Sequence, residues 1–287
     1  MASVATRVAA AWVRATRHPL WADGRRLRAA VARRGPRIPP PRLGPGLRIT
    51  TSEHDGWTVA EVRPERPVGT LVHLHGGAYV YDVVPEHWHF AARIARATGR
   101  RVVLPLYPLA PRATAERVVP SVTDLVERLL DDGPLALGGD SAGGGLALVV
   151  AQRLRDRGHP PVDLLLVSPW LDVTMTDPAI PAAERRDPWL ARPGARVAGD
   201  LYRGALPADH PWVSPLYGDL AGLGRITVLT GTRDVLNPDA RRLVRLARAA
   251  GTRCDLLEGR GLLHDFPLLP GPEARVGVER LLRALRA

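Results

Sequence analysis

The sequence predicts an α/β fold, a mostly parallel, doubly wound sheet with a helical cap. Three observations predict it. From about residue 70 onward, short apolar runs alternate with helical patterns, which is how strands buried on both faces by crossover helices read. One long proline-bearing segment, residues 172–215, interrupts that rhythm. The chain is 287 residues long, 45% hydrophobic and 24% charged, which suits one folded domain with a small appendage and not a disordered or fibrous chain.

The first elements are two arginine-rich helical patterns, about Ser3 to Arg17 and Trp21 to Arg34. They stop at the proline-dense stretch 36–45, where neither helix nor central strand continues. Residues 1–45 are therefore read as cap helices and linker. Strand-like runs follow at Leu47 to Thr51, Trp57 to Val62, Thr70 to Leu74, Arg101 to Leu106, Leu135 to Leu137, Leu164 to Val167, Ile226 to Thr230 and Cys254 to Leu257. Helical patterns occupy Glu86 to Thr98, Thr114 to Leu130, Ala142 to Arg157, Pro238 to Ala250 and Glu273 to Leu285. The core is thus expected over 46–171 and 216–287, with 172–215 as a cap insertion. A loop that long is usually functional, and over an open α/β sheet it would cover the carboxyl ends of the strands, where ligands bind.

A net charge of +11 raises nucleic acid or an anionic surface as a partner. The distribution argues against it. All 40 basic residues are arginine, scattered among alanine, glycine and proline as in a coding sequence rich in G and C, with no run of five like charges. No stretch of eighteen apolar residues exists to span a membrane. Cys254 is the only cysteine, so no intrachain disulfide forms; a reducing, cytoplasmic setting is expected, with Cys254 as a small buried residue in a strand.

The motif Gly139-Asp140-Ser141-Ala142-Gly143 lies between a strand and a helix, the context in which G-x-S-x-G presents a nucleophile. Small neighbours suit so tight a turn, and the helix N-terminus favours developing negative charge at Ser141. His75-Gly76-Gly77-Ala78-Tyr79 follows an earlier strand. Its glycines let backbone N–H groups approach a reacting carbonyl, so Gly76, Gly77 and Ala142 are the expected oxyanion donors. His75 is read as support for that loop.

His264 follows the last strand and is the only histidine after His210, which makes it the candidate general base. Asp234, after the penultimate strand, is the candidate acid that orients the imidazole. Asp172, after the preceding strand, is the runner-up. Asp265, adjacent to His264, is not expected to turn back onto it. His87 and His89, two apart on a helix, face different sides and give no metal site. Tyr79, Trp170 and Leu236 are expected to wall a substrate pocket, among several tryptophans that include Trp12, Trp21, Trp189 and Trp212.

From about Gly69 to Phe266 these motifs resemble the hormone-sensitive-lipase-like esterases, the bacterial family IV lipolytic enzymes. Tyr107-Pro108-Leu109-Ala110-Pro111 and Ser168-Pro169-Trp170-Leu171-Asp172 resemble family segments too. The resemblance implies an α/β-hydrolase fold and hydrolysis of short- to medium-chain carboxylic esters through Ser141, His264 and Asp234, without metal or cofactor. Three positions depart from the pattern: Ala78 stands where a third glycine is usual, Arg112 where glutamate is common, and Gly145 where asparagine is frequent. If position 78 needs a positive φ, alanine there costs on the order of 1 kcal/mol. The expected partner is a small-molecule ester, with a homodimer left open. Two alternatives are a deacetylase or acyltransferase of a secondary metabolite on the same fold, and a non-catalytic ligand receptor on a hydrolase scaffold. Retention of all three catalytic side chains weighs against the receptor.

Overall fold

The computed structural model describes residues 3–286. Eight strands form one sheet: β1 (Leu47–His54), β2 (Trp57–Pro64), β3 (Thr70–Leu74), β4 (Arg101–Pro105), β5 (Leu135–Asp140), β6 (Asp163–Val167), β7 (Ile226–Arg233) and β8 (Cys254–Leu263). Their order across the sheet is β1-β2-β4-β3-β5-β6-β7-β8. β3 to β8 run parallel, and β1 and β2 are antiparallel additions at one edge. The hairpin joining β1 and β2 turns at Asp55-Gly56, both at positive φ, as a two-residue hairpin loop requires.

Among the described residues, ten α-helices surround this sheet: α1 (Val4–Thr16), α2 (His18–Trp21), α3 (Gly24–Ala32), α4 (Pro85–Thr98), α5 (Ala115–Leu129), α6 (Ala142–Asp156), α7 (Ile180–Glu184), α8 (Arg192–Arg203), α9 (Asn237–Ala249) and α10 (Pro272–Arg286). The buried apolar residues fall into two clusters, one per face of the sheet. α4 and α10 contribute to the first, and α5, α6 and α9 to the second. All of β3 is buried, as are four of the five residues of β6, so these central strands read as unbroken apolar runs. Strand order reverses at β3, because the chain leaves it toward β4 on one side and returns to β5 on the other. The crevice at such a reversal, above the carboxyl ends of the strands, is where an open α/β sheet holds a ligand.

Two expected elements differ in detail. The second N-terminal helix is broken, because Asp23 caps α3 by accepting from Arg25 N–H at 2.8 Å, and an aspartate N-cap starts a new helix. The last strand runs six residues past its expected end, through Glu258-Gly259-Arg260-Gly261 to Leu263. Pairing with β7 across an irregular register carries it there despite glycines that weaken the strand pattern. Cys254 is buried at the start of β8, and burial pushes its thiol up to about 12, so it is an unreactive core residue.

The segment between β6 and β7 holds α7 and α8. α3 packs on α8. A Cβ on Gly194 would meet the Trp21 backbone at 2.7 Å, and one on Gly24 would meet Val197 at 2.7 Å. The N-terminal helices and the insertion are thus packed together as one cover. Among the described residues, no helix is long and apolar enough to cross a membrane.

α6 enters the sheet so closely that a Cβ on Gly143 would sit 1.9 Å from the Leu74 carbonyl oxygen, whereas one on Gly35 would meet nothing within 4 Å. Overpacking of this kind costs about 1–3 kcal/mol or more. Gly143→Ala is expected to lower the thermal unfolding midpoint by several degrees, and Gly35→Ala to leave it nearly unchanged. Equal midpoints in the two variants would refute this account of the β5–α6 junction.

Candidate active site

Ser141 sits between β5 and α6 with φ 50° and ψ −121°, a conformation that L-residues rarely adopt and that costs of order 1–3 kcal/mol. Its neighbours must be small, since a Cβ on Gly139 would lie 2.3 Å from the Gly143 carbonyl oxygen. Two backbone bonds fix the turn from the β6 side: Ser141 N–H donates to Val167 O at 2.9 Å, and Trp170 N–H donates to Ser141 O at 2.8 Å. The strain is held by the sheet, and it lifts the hydroxyl out of the strand into the crevice.

The loop after β3 is bent by three successive residues at positive φ: Gly77 at 109°, Ala78 at 54° and Tyr79 at 63°. Position 78 therefore does need the left-handed region, and alanine accepts the cost. The structure corrects one expected donor. Gly76 N–H is engaged by Asp140 Oδ2 at 2.9 Å, so it is not free to meet an oxyanion. The N–H groups of Gly77, Ala78 and Ala142 carry no such bond, and all three residues lie beside Ser141. His75 is fully buried and its ring stacks on Tyr107 at 4.4 Å. Tyr107 Oη donates to the His75 carbonyl at 2.6 Å. Burial pushes the His75 pKa down to about 4, so it supports the loop as a neutral ring.

Sequence reasoning missed the part played by Asp140, which lies inside the G-x-S-x-G motif. Besides Gly76 N–H, it binds His73 Nε2 at 2.9 Å and His87 Nε2 at 3.1 Å. Burial alone would raise its pKa, but the two histidines outweigh that and hold the carboxyl well below its ordinary range. His87 and His89 part company as their spacing predicts: His87 faces Asp140, and His89 is exposed.

His264 follows β8 directly, and its Nδ1 meets Asp234 Oδ2 at 3.0 Å. Asp234, in the turn between β7 and α9, also accepts from Leu236 N–H at 2.9 Å. Asp172 is committed elsewhere, to Thr174, Tyr217 and Arg242. Asp265 departs from expectation. Its φ of 49° folds the chain back so that Oδ2 lies 3.0 Å from His264 Nε2. Aspartate tolerates this left-handed conformation better than most residues, and that is why adjacency in sequence did not prevent contact. No hydrogen bond joins Ser141 Oγ to His264; the two line one small cavity of about 70 Å³.

Trp170 and Leu236 line that cavity. Tyr79 does not reach it, but stacks behind Trp170 at 5.8 Å and on Tyr202 at 3.6 Å. A Cβ at Gly145 would lie 2.1 Å from the Trp170 carbonyl oxygen, so asparagine has no room there. The insertion supplies Trp189, Leu190 and Ala195. Trp189 meets the His264 ring edge-on at 5.7 Å. Asp187, also missed, accepts from Trp189 and Leu190 N–H on one oxygen and from Val235 N–H on the other, tying the cover to the loop that carries Asp234. Burial, reinforced by Asp234, pushes its carboxyl up to about 7. The sequence signal for it was only an Asp-Pro-Trp-Leu cluster inside a proline-rich insertion.

A family profile described as alpha/beta hydrolase fold matches residues 71–268. The chain is 34% identical to LipR of Mycobacterium tuberculosis, over 92% of this chain and 86% of that one. It is also 34% identical to an acetyl-hydrolase of Streptomyces hygroscopicus, over 78% of each. Among solved structures, an esterase from the bacterial hormone-sensitive lipase family superposes with a TM-score of 0.84 at 29% identity, over 100% of this chain and 99% of the other. The chain belongs to the α/β-hydrolase fold family, on its hormone-sensitive-lipase-like branch.

Proposed function

We propose that the protein is a serine carboxylesterase in which Ser141 is the nucleophile, His264 the general base and Asp234 the orienting acid. The observation that carries this reading is the 3.0 Å contact of Asp234 Oδ2 with His264 Nδ1, made at the wall of the cavity that also holds the strained Ser141. Kinship with esterases and with an acetyl-hydrolase supports the ester as substrate.

In the resting arrangement His264 Nε2 faces Asp265. For catalysis Nε2 exchanges that contact for the Ser141 hydroxyl, takes its proton, and the alkoxide attacks the ester carbonyl. Gly77, Ala78 and Ala142 N–H groups face the developing oxyanion, the role that is worth about 3–4 kcal/mol per donor in such sites. His264 returns the proton to the departing alcohol. Water, deprotonated by the same base, then releases the acid from Ser141.

Ser141→Ala and His264→Ala should each abolish nearly all turnover of a nitrophenyl ester, and the double variant should be little worse than either, because triad members act as a unit. Multiplicative losses in steady-state kinetics would refute the assignment. Asp234→Asn should cut kcat about ten-thousand-fold with KM little changed, whereas Asp172→Asn should act mainly on stability through Tyr217 and Arg242. The reverse pattern would move the acid to Asp172.

The pH profile follows from what faces the base. Burial disfavours imidazolium, yet Asp234 and Asp265 outweigh it and raise the His264 pKa well above its ordinary value. Asp187, across the cavity wall, and the uncharged Trp189 edge complete its surroundings. Burial pushes Asp265 itself up to about 6, so it is ionised at neutral pH and pairs with the cation. The base acts only when neutral, so kcat/KM should rise with pH through an alkaline limb. Removing the Asp265 charge lowers the His264 pKa, so Asp265→Asn should shift that limb to lower pH. An unmoved limb would show that Asp265 does not compete for Nε2.

A further inference from the structure

Two cavities meet at the reacting centre, and their sizes differ. The one holding Ser141 and His264 measures about 70 Å³; a second of about 410 Å³ adjoins it, with Trp21, Gly77, Trp189 and Asp265 in the walls of both. A water takes roughly 30 Å³ of liquid volume. The first cavity therefore has room for an acetyl or propionyl group, and the second for about a dozen non-hydrogen atoms. Small-molecule sites usually span about 300–1,000 Å³, so only the second is of that class.

The position of the base decides which part of an ester enters which cavity. His264 Nε2 must deliver a proton to the leaving oxygen, so the alcohol lies on the Nε2 side. At rest Nε2 lies 3.0 Å from Asp265, a contact it gives up for Ser141, and Asp265, next to the base, borders both cavities and opens the way to the large one. The acyl group is left with the pocket between Trp170, Leu190, Ala195 and Leu236. That pocket cannot deepen easily, because Trp170 is backed by the stacked rings of Tyr79 and Tyr202. The lining of the large cavity includes Arg17, Asp82, Glu86, Asp140 and Asp265 as charges, beside the apolar Val13, Leu20, Leu268 and Leu269. Trp12, 56% exposed, stands at its mouth.

Resting on the esterase reading, we propose that the natural substrate is an acetate or propionate ester of a bulky, largely apolar alcohol, seated between the N-terminal helices and the loop after β8. The bond broken is that between the acyl carbon and the alcohol oxygen. Ser141 Oγ takes the acyl group, the alcohol leaves with the proton carried by His264, and water restores the serine and yields acetic or propionic acid.

The test compares esters whose leaving alcohols are similarly acidic: ethyl acetate, naphthylethyl acetate, naphthylethyl hexanoate and ethyl naphthylacetate. Naphthylethyl acetate should exceed each of the others in kcat/KM by roughly tenfold or more, the size of discrimination a shaped apolar pocket provides. Trp170→Ala should raise hexanoate turnover relative to acetate, and Trp12→Ala, at an exposed position that the fold does not need, should raise KM for naphthylethyl acetate more than for ethyl acetate. Hexanoate turned over as well as acetate, or ethyl naphthylacetate as the best substrate, would overturn the assignment of the two cavities while leaving the esterase reading intact. No turnover of any ester together with no labelling of Ser141 by a fluorophosphonate would overturn both.

Discussion

One buried carboxylate organises this site. Asp140, one residue before the proposed nucleophile, accepts from the loop after β3 at Gly76 and pairs with His73 on β3 and His87 on α4. A lone charge at 1% exposure would be untenable; with two imidazoles and one N–H its lone pairs are largely answered. The spacing between Ser141 and the loop after β3 is thereby fixed by a buried polar cluster, not by loop packing alone. Removal of one partner from such a cluster typically costs about 3–5 kcal/mol, which makes it a far stiffer link than a surface ion pair. It also explains why Gly76 must be glycine: a Cβ there would lie 2.2 Å from Asp140 Oδ2.

Strain and cover are set against that fixed point. Ser141, Ala78 and Tyr79 all hold positive φ; backbone bonds to the β6 side lock Ser141, and ring stacking locks Tyr79. Strain of this kind survives where the surrounding structure over-determines it. The cover is tied down by Asp187, whose two oxygens bridge the insertion and the turn bearing Asp234. The same turn that holds the His264 ring through Asp234 thus also anchors the insertion through Asp187, so motion of the cover and alignment of the imidazole are mechanically connected.

His264, the proposed base, is held between two carboxylates. Asp234 lies 3.0 Å from Nδ1 and Asp265 3.0 Å from Nε2, so on the proposed reading Asp265 holds the nitrogen that Ser141 must engage. Asp265 borders both cavities, so on the proposed reading substrate entry through the larger one and release of Nε2 share one path.

By itself the sequence determined the fold class, the order of strands and helices, and the placing of Ser141, His264 and Asp234 at strand ends. These depend on local patterns: apolar runs, caps, and small residues around a tight turn. The break at Asp23 and the true end of β8 were less legible, because capping and strand pairing overrode the helical and glycine patterns there. Only the tertiary structure decided how polar atoms were shared out. Gly76 N–H went to Asp140 and not to the expected oxyanion position, Asp265 turned back onto His264, and Asp187 joined the site from a distant insertion. Each of these is a competition between partners remote in sequence for one N–H or one lone pair, and such competitions are settled by three-dimensional proximity and burial, which a linear pattern does not encode.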